Sequence, residues 1–309
     1  MIAVPGFVDL QCNGGFGIDL RDEPERLWEL AALLPSTGVT AWCPTIITSS
    51  PDIAQRALAT LRERRVTGQV AEPIGLHLEG PFLSPDRLGI HDLDLTSPID
   101  SARAANWSRD SGVAIVTLAP ELPGALELTR ALKVSGVVVS IGHSNATAAG
   151  ATAAIDAGAT LVTHLFNAMS PLHHREPGVP GVALTDERLR VGVVADGLHL
   201  HPTVVDLAWR AVGGRLVLVT DAVAAMGCQP AGHGVRLVDG TLAGSDLTMD
   251  QAVRNLRQFT GCSLEHAAAA ASTSPAAVLG IDRTDDRVEL SADGHVMATF
   301  IGGELAWKS

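Results

Sequence analysis

The sequence predicts an α/β protein built on a closed (β/α)₈ barrel of the TIM type. Three observations carry that expectation. Eight short runs rich in β-branched and aliphatic residues recur along the chain, at 6–11, 40–47, 74–79, 113–119, 137–143, 160–167, 189–196 and 216–221. Amphipathic stretches, among them 25–36, 53–65, 125–134, 146–157 and 203–211, lie between them. Apolar runs of this length alternating with helical ones indicate parallel strands joined by crossover helices. Eight such units suggest closure into a barrel more than an open doubly wound sheet. No GxGxxG follows the first run, which argues against a dinucleotide-binding fold.

The remaining elements follow in order. With 309 residues, 46% hydrophobic and 18% charged, the chain can bury one large core with a small annex. The expected division is a catalytic barrel over 1–280 and a short C-terminal β segment over 281–309. After the eighth run come a hairpin-like element at 235–242 and two helices at 249–260 and 263–279. Ser263 and Ser274 are the expected N-caps, the second followed by Pro275 at the first helical position. The tail 287–307 alternates and has turn signals at Asp293-Gly294 and Gly302-Gly303, which predicts two or three strands outside the barrel.

Composition narrows the function. A duplex-binding protein needs a basic face, and a net charge of −12 argues against one, so no nucleic-acid partner is expected. A small anionic substrate stays open, because a few local cations can reverse the field in one cleft. No apolar run reaches a membrane span, and Met1 leads into a strand-like segment without a charged n-region, so a cytoplasmic protein is expected. The four cysteines (Cys12, Cys43, Cys228 and Cys262) are scattered with no CxxC, which predicts buried free thiols and no disulfides.

The strand ends carry the chemistry. In such a barrel, residues at the C-terminal ends of strands converge on one mouth. Here the third run ends in His77-Leu78-Glu79, the fifth in His143-Ser144-Asn145, and the sixth contains His164 and ends in Asn167-Ala168-Met169. The seventh ends in Asp196 with His199 just beyond, and the eighth in Thr220-Asp221. Any one of these reads as a hydrogen-bonded structural residue or a helix cap. Together, two His, one Glu and one Asp at equivalent positions make a mixed N/O metal site with an open coordination position. The adjacent pair His173-His174 looks metal-like, but neighbours on a loop rarely ligate together, so it is expected at the surface or the mouth. His201, His233, His266 and His295 have no supporting pattern, and no GxSxG elbow or Ser-His-Asp order appears.

Nine stretches together resemble N-acetylglucosamine-6-phosphate deacetylases of the amidohydrolase superfamily. They are PGFVDLQCNGG (5–15), GLHLEGPFLSP (75–85), VTLAPE (116–121), VSIGHSNAT (139–147), THLFNAM (163–169), REPG (175–178), ADGLHLHP (195–202), LVTDA (218–222) and GTLAGSDLTM (240–249). They occur in the family's order over nearly the whole barrel. The resemblance implies hydrolysis of an N-acetyl group on an amino-sugar phosphate, giving acetate and the free amine. It implies Glu79, His143 and His164 as metal ligands, Asp221 as general acid/base, and His91 as the group polarising the scissile carbonyl. It further implies Asn167, the backbone at Ala168, and His199 as sugar-phosphate contacts, with Leu242 to Ser245 closing over the sugar. Arg175 resembles an arginine that reaches the phosphate in a neighbouring subunit, which requires a homodimer.

Many amidohydrolases open with His-x-His on the first strand and can bind two metals; here the pair is Gln11-x-Asn13. Neutral amides are poor ligands for Zn²⁺, so one divalent ion per subunit is expected, Zn²⁺ first and Fe²⁺ or another divalent metal next. Two features depart from the family. Its usual accessory β-sandwich has strands before and after the barrel, whereas Met1 here is expected to start the first barrel strand, leaving only a C-terminal remnant. The stretch 280–288 also lacks the usual PG-x-x-A-D-L segment. Two competing readings follow: the same chemistry on a different N-acetylated sugar, an N-acyl amino acid or a dihydropyrimidine, or a non-catalytic protein on a decayed barrel. The intact Glu79, His143, His164 and Asp221 speak against the second.

Overall fold

The structure is a computed structural model that describes residues 1–63, 68–228, 234–237 and 240–309. All eight expected strands form. They are Phe7–Cys12, Val39–Ile47, Leu76–Glu79, Val113–Leu118, Val138–Ile141, Leu161–Val162, Arg190–Val193 and Leu216–Leu218. Each pairs in parallel with the next. Closure between the eighth and first strands rests on a parallel bridge Cys12–Ala222 and on Asp221 N–H donating to the Gln11 carbonyl at 2.9 Å. The strands are short because only their middles need a ladder; their ends splay into the loops that build the mouth.

The crossover helices match their sequence signals. Pro51–Arg62 and Pro202–Val212 begin with proline, whose missing N–H costs nothing in the first turn. Residues 64–65 of the expected 53–65 helix, and 238–239 of the expected hairpin, lie outside the described residues. What is described of that hairpin bridges Arg236 to Leu242 in antiparallel fashion. Between the third and fourth strands the chain makes only short helical turns, including Pro85–Arg87, and this long loop carries His91.

Three expectations need correction. The 263–279 helix is broken into Leu264–Ala271 and Thr273–Leu279, where Ser272 leaves helical geometry at φ −130° and ψ −79°. Ser263 does cap, accepting the His266 N–H, but Ser274 lies inside the second helix and donates its hydroxyl to the Gly214 carbonyl. Of the four free thiols, Cys12 and Cys43 are buried, Cys262 is half-buried and Cys228 is exposed.

The third correction concerns the N-terminus. Residues 2–5 fall within the 1–280 barrel that the sequence predicts, but Ile2–Pro5 pairs antiparallel with Arg287–Leu290 and forms the edge of a small sheet. That sheet continues through Val296–Ile301 and Glu304–Lys308. It therefore draws on both ends of the chain. The partner strand lies about 285 positions away, so local periodicity cannot announce it. The hairpin turn at Gly302-Gly303 has φ of +57° and +81°, the two positive angles that such a two-residue turn demands.

Candidate active site

Glu79 ends the third strand, and its Oε1 lies 3.0 Å from His143 Nε2 and 3.0 Å from His164 Nε2. The two histidine nitrogens are 3.1 Å apart. All three side chains are buried. Ligands about 2.1 Å from one tetrahedral ion stand roughly 3.4 Å apart, so this triad fits a divalent cation with an outward adjustment of a few tenths of an ångström. A second grouping, Glu79, His91 and His143, also converges, but only within 4.8 Å. The tighter set is the better ligand shell. Its chemistry, one carboxylate and two imidazoles, suits a borderline metal.

Burial alone would raise the Glu79 pKa, but hydrogen bonds from His143 and His164 overcome it and hold the carboxyl well below its usual range. His143 is oriented from behind: its Nδ1 lies 3.0 Å from the Arg87 carbonyl, which can only accept. His164 has no such support, since its Nδ1 is buried without a partner among the described residues.

Asp221 stands beside the triad. Its Oδ1 accepts from Gln11 Nε2 at 3.0 Å and Asn13 Nδ2 at 2.9 Å, while Gln11 Nε2 also reaches Glu79 Oε1 at 3.3 Å. The amides that replace His-x-His thus clamp Asp221. Its Oδ2 points toward His199 Nε2, 3.8 Å away. Burial first, and then the charge of Glu79, raise the Asp221 pKa. His199 is held by Asp196, whose Oδ2 accepts a hydrogen bond from its Nδ1 at 2.6 Å and whose Oδ1 accepts the N–H of Leu198 and His199.

His91 comes from the long loop. Thr48 N–H donates to its Nδ1 at 3.3 Å, and the Thr48 hydroxyl lies 2.8 Å from the same atom. Burial, reinforced by His143, pushes the His91 pKa down to about 3, so the ring is neutral. Six non-glycine residues among those described have positive φ, and four of them are His143, His164, Ala168 and Asp221. Such conformations cost roughly 1–3 kcal/mol each and persist where surrounding contacts over-determine them.

These groups line a cavity of about 330 Å³ together with Asn13, Arg87, Asn167, Ala168, His199, Leu242 and Gly244. Asn167 ties its amide nitrogen to the carbonyls of its own loop, His164 and Leu165. Ser245 does not reach the cavity. It is fully buried, donates to the Thr220 carbonyl at 2.6 Å, and exchanges backbone bonds with Asp221 and Val223, so it braces the eighth strand. Arg175 is exposed on the 172–176 loop and does not line this cavity, and the stacked pair His173-His174 is also exposed there. A larger hollow of about 620 Å³ lies by residues 69–73 and 282–286. It has no comparable set of converging donors among the described residues, so chemistry and not volume locates the site.

Thr48, Arg87 and Asp9 were not singled out from the sequence. Thr48 had a usable signal, as the first residue after the second strand. Asp9 did not: it is fully buried below the mouth, with Thr220 Oγ1 at 2.5 Å, and burial raises its pKa to about 7.

The amidohydrolase family model matches residues 2–289. The human N-acetylglucosamine-6-phosphate deacetylase is 40% identical over all of this chain and 84% of its own length. The crystal structure of the Thermotoga maritima enzyme of that name superposes with a TM-score of 0.92 at 32% identity, covering 99% of this chain and 89% of that one. A mutant of the Mycobacterium smegmatis enzyme in complex with N-acetyl-D-glucosamine-6-phosphate superposes at 0.87 and 35% identity, covering 98% and 86%. A barrel with this donor set and these relatives belongs to the amidohydrolase family, within its N-acetylglucosamine-6-phosphate deacetylases.

Proposed function

We propose that this chain hydrolyses the acetamide of N-acetyl-D-glucosamine 6-phosphate to glucosamine 6-phosphate and acetate, a step of amino-sugar catabolism. The observation that carries the reading is the Glu79–His143–His164 donor triad beside a clamped Asp221, in a chain 40% identical to a deacetylase of that name. The triad would hold one divalent ion, Zn²⁺ by donor chemistry. Bound there, it would supply Lewis acidity, lowering the pKa of water toward 7 and polarising an amide carbonyl.

The chain's own residues do the rest. With Oδ1 held by two amides, Asp221 keeps Oδ2 for proton transfer. It takes the proton of the attacking water and returns it to the leaving nitrogen, and its raised pKa favours the return. His91 accepts the Thr48 N–H at Nδ1, so its proton sits on Nε2 as a neutral donor for the developing oxyanion. His199 and the Asn167–Ala168 turn line the part of the cavity assigned to the sugar phosphate. Leu242 flanks it. Arg175, exposed and away from its own cavity, suits the phosphate of a neighbouring subunit's substrate in a homodimer.

The deciding experiment measures amine release from a panel of N-acetylated hexosamines with and without the 6-phosphate, including the 4-epimer. Turnover of the phosphorylated gluco compound at least ten-fold above the others is expected. Preference for an unphosphorylated or epimeric sugar would replace the substrate, and no turnover by metal-replete protein would reject the reading.

A further inference from the structure

We infer that a buried chain of hydrogen bonds, Ser140–Thr163–Thr117–His77–Leu10, sets the spacing of the metal ligands, with Thr163 and His77 as positioning residues. The inference rests on the ligand set proposed above. His77 precedes Glu79 by two residues on the third strand, so its side chain shares that face one layer deeper. Its Nδ1 lies 2.9 Å from the Leu10 carbonyl, an acceptor only, so Nδ1 carries the proton. With the ring neutral, Nε2 accepts the Thr117 hydroxyl at 2.7 Å. Thr117 then accepts from Thr163 at 2.7 Å, and Thr163 from Ser140 at 2.6 Å. Every hydroxyl proton has one destination, and the chain runs one way through four strand residues and Thr163, which directly follows the sixth strand.

Its members sit beside the proposed ligands. Thr163 directly precedes His164, Ser140 lies three residues before His143, and Leu10 adjoins Gln11. No part of the chain faces solvent: the four side chains are at most 2% exposed. A barrel interior is ordinarily packed with Val, Ile and Leu. Valine in place of either threonine would fill the same volume without the cost of desolvating a hydroxyl. Packing therefore does not explain the chain.

The histidines supply the second observation. A metal-bound imidazole is ordinarily fixed by a hydrogen bond from its other nitrogen. His143 has this bond, through Arg87. His164 lacks it among the described residues, so its ring must be placed through its backbone. That backbone is at φ +28°, pinned by Thr163 N–H to the Ile141 carbonyl at 3.0 Å and Leu165 N–H to the Gly192 carbonyl at 2.8 Å. The Thr163 hydroxyl is the third restraint. Thr117 and Thr163 meet across Gly142 without slack: a Cβ there would lie 2.7 Å from Thr117 Cγ2 and 2.8 Å from Thr163 Cβ. The chain thus does for His164 what a direct hydrogen bond does for His143.

The test is Thr163→Val, which keeps the shape and removes both hydroxyl bonds, beside Thr163→Ser, which keeps them. Zn²⁺ affinity is read by chelator competition, and stability of the metal-free protein by thermal unfolding. Second-layer changes of this kind weaken metal binding about 10- to 100-fold. That loss is expected for Thr163→Val, with recovery to within about three-fold of wild type for Thr163→Ser. Wild-type affinity in Thr163→Val overturns the inference, as does equal weakening in both variants tracking lost stability. Should Thr163→Val not fold, Ser140→Ala removes only the first donor of the chain and must show a measurable loss of Zn²⁺ affinity at unchanged apo stability; no loss overturns the inference. A wild-type protein that binds no divalent metal, or a His164→Ala variant that binds it normally, would instead sink the ligand assignment itself.

Discussion

Asp221→Asn separates the proposed proton shuttle from a structural role. The wild-type carboxylate accepts two amide donors on Oδ1, from Gln11 and Asn13, and leaves Oδ2 toward the cavity, 3.8 Å from His199. Asparagine is nearly isosteric. Its carbonyl oxygen can occupy the Oδ1 position and keep both clamp bonds, which puts its NH₂ where Oδ2 was. The backbone bonds at 221, to Gln11 and Ser245, do not involve the side chain. Folding and the metal triad should therefore survive, and metal content measured by elemental analysis should match wild type. What is lost is the atom that accepts and returns a proton. General acid–base groups contribute typically about 10²–10⁴-fold, or roughly 2.7–5.4 kcal/mol of barrier, so kcat should fall by that factor with a smaller change in KM. The assay is amine release under substrate saturation, with metal measured on the same sample. A metal-replete Asn variant retaining more than about a tenth of wild-type kcat would refute the reasoning, because the clamp alone would then account for the residue.

Other perturbations test separate parts of the site. Arg175→Ala should weaken kcat/KM for the 6-phosphate by about ten- to a hundred-fold, from the roughly 1.5–3 kcal/mol of a charge-assisted hydrogen bond, while sparing unphosphorylated analogues; equal losses on both would reject a phosphate contact. Thr48→Val removes the hydroxyl 2.8 Å from His91 Nδ1 and should lower kcat about five-fold, near 1 kcal/mol, at unchanged metal content; unaltered kcat would mean that the Thr48 N–H alone positions the ring. Asp9 gives a pH prediction. Its folded pKa of about 7 lies above its ordinary 3.8, so between these values the folded state binds more protons than the unfolded one, and stability falls as pH rises through that window. Denaturant melts of the wild type from pH 4 to 7 should show this fall relative to Asp9→Asn, which cannot ionise; parallel curves would mean that Asp9 does not titrate there.

Architecture and chemical inventory are legible in the order of residues along the chain. Eight apolar runs separated by amphipathic stretches call for a parallel sheet covered on both faces, and their number favours a closed barrel over an open doubly wound sheet. A barrel gathers strand ends at one mouth, so Glu79, His143, His164 and Asp221 could be named as a cluster from their places in their runs alone. The helix starts at Pro51 and Pro202 and the turn at Gly302-Gly303 are likewise local matters of backbone geometry. Contacts between distant residues were left to the tertiary structure. The pairing of Ile2–Pro5 with Arg287–Leu290 links the two ends of the chain. The anchoring of His91 by Thr48 depends on a loop folding back over 43 residues. The inward turn of Ser245 and the break at Ser272 depend on which neighbours compete for a hydroxyl or a helix axis. The polar layer beneath the triad is the plainest case. Ser140, Thr117 and Thr163 each read as ordinary β-branched or small strand residues. Only the closed barrel shows that their hydroxyls meet in line with His77, because hydrogen-bond partners across strands are fixed by register and stagger, which no local stretch of sequence encodes.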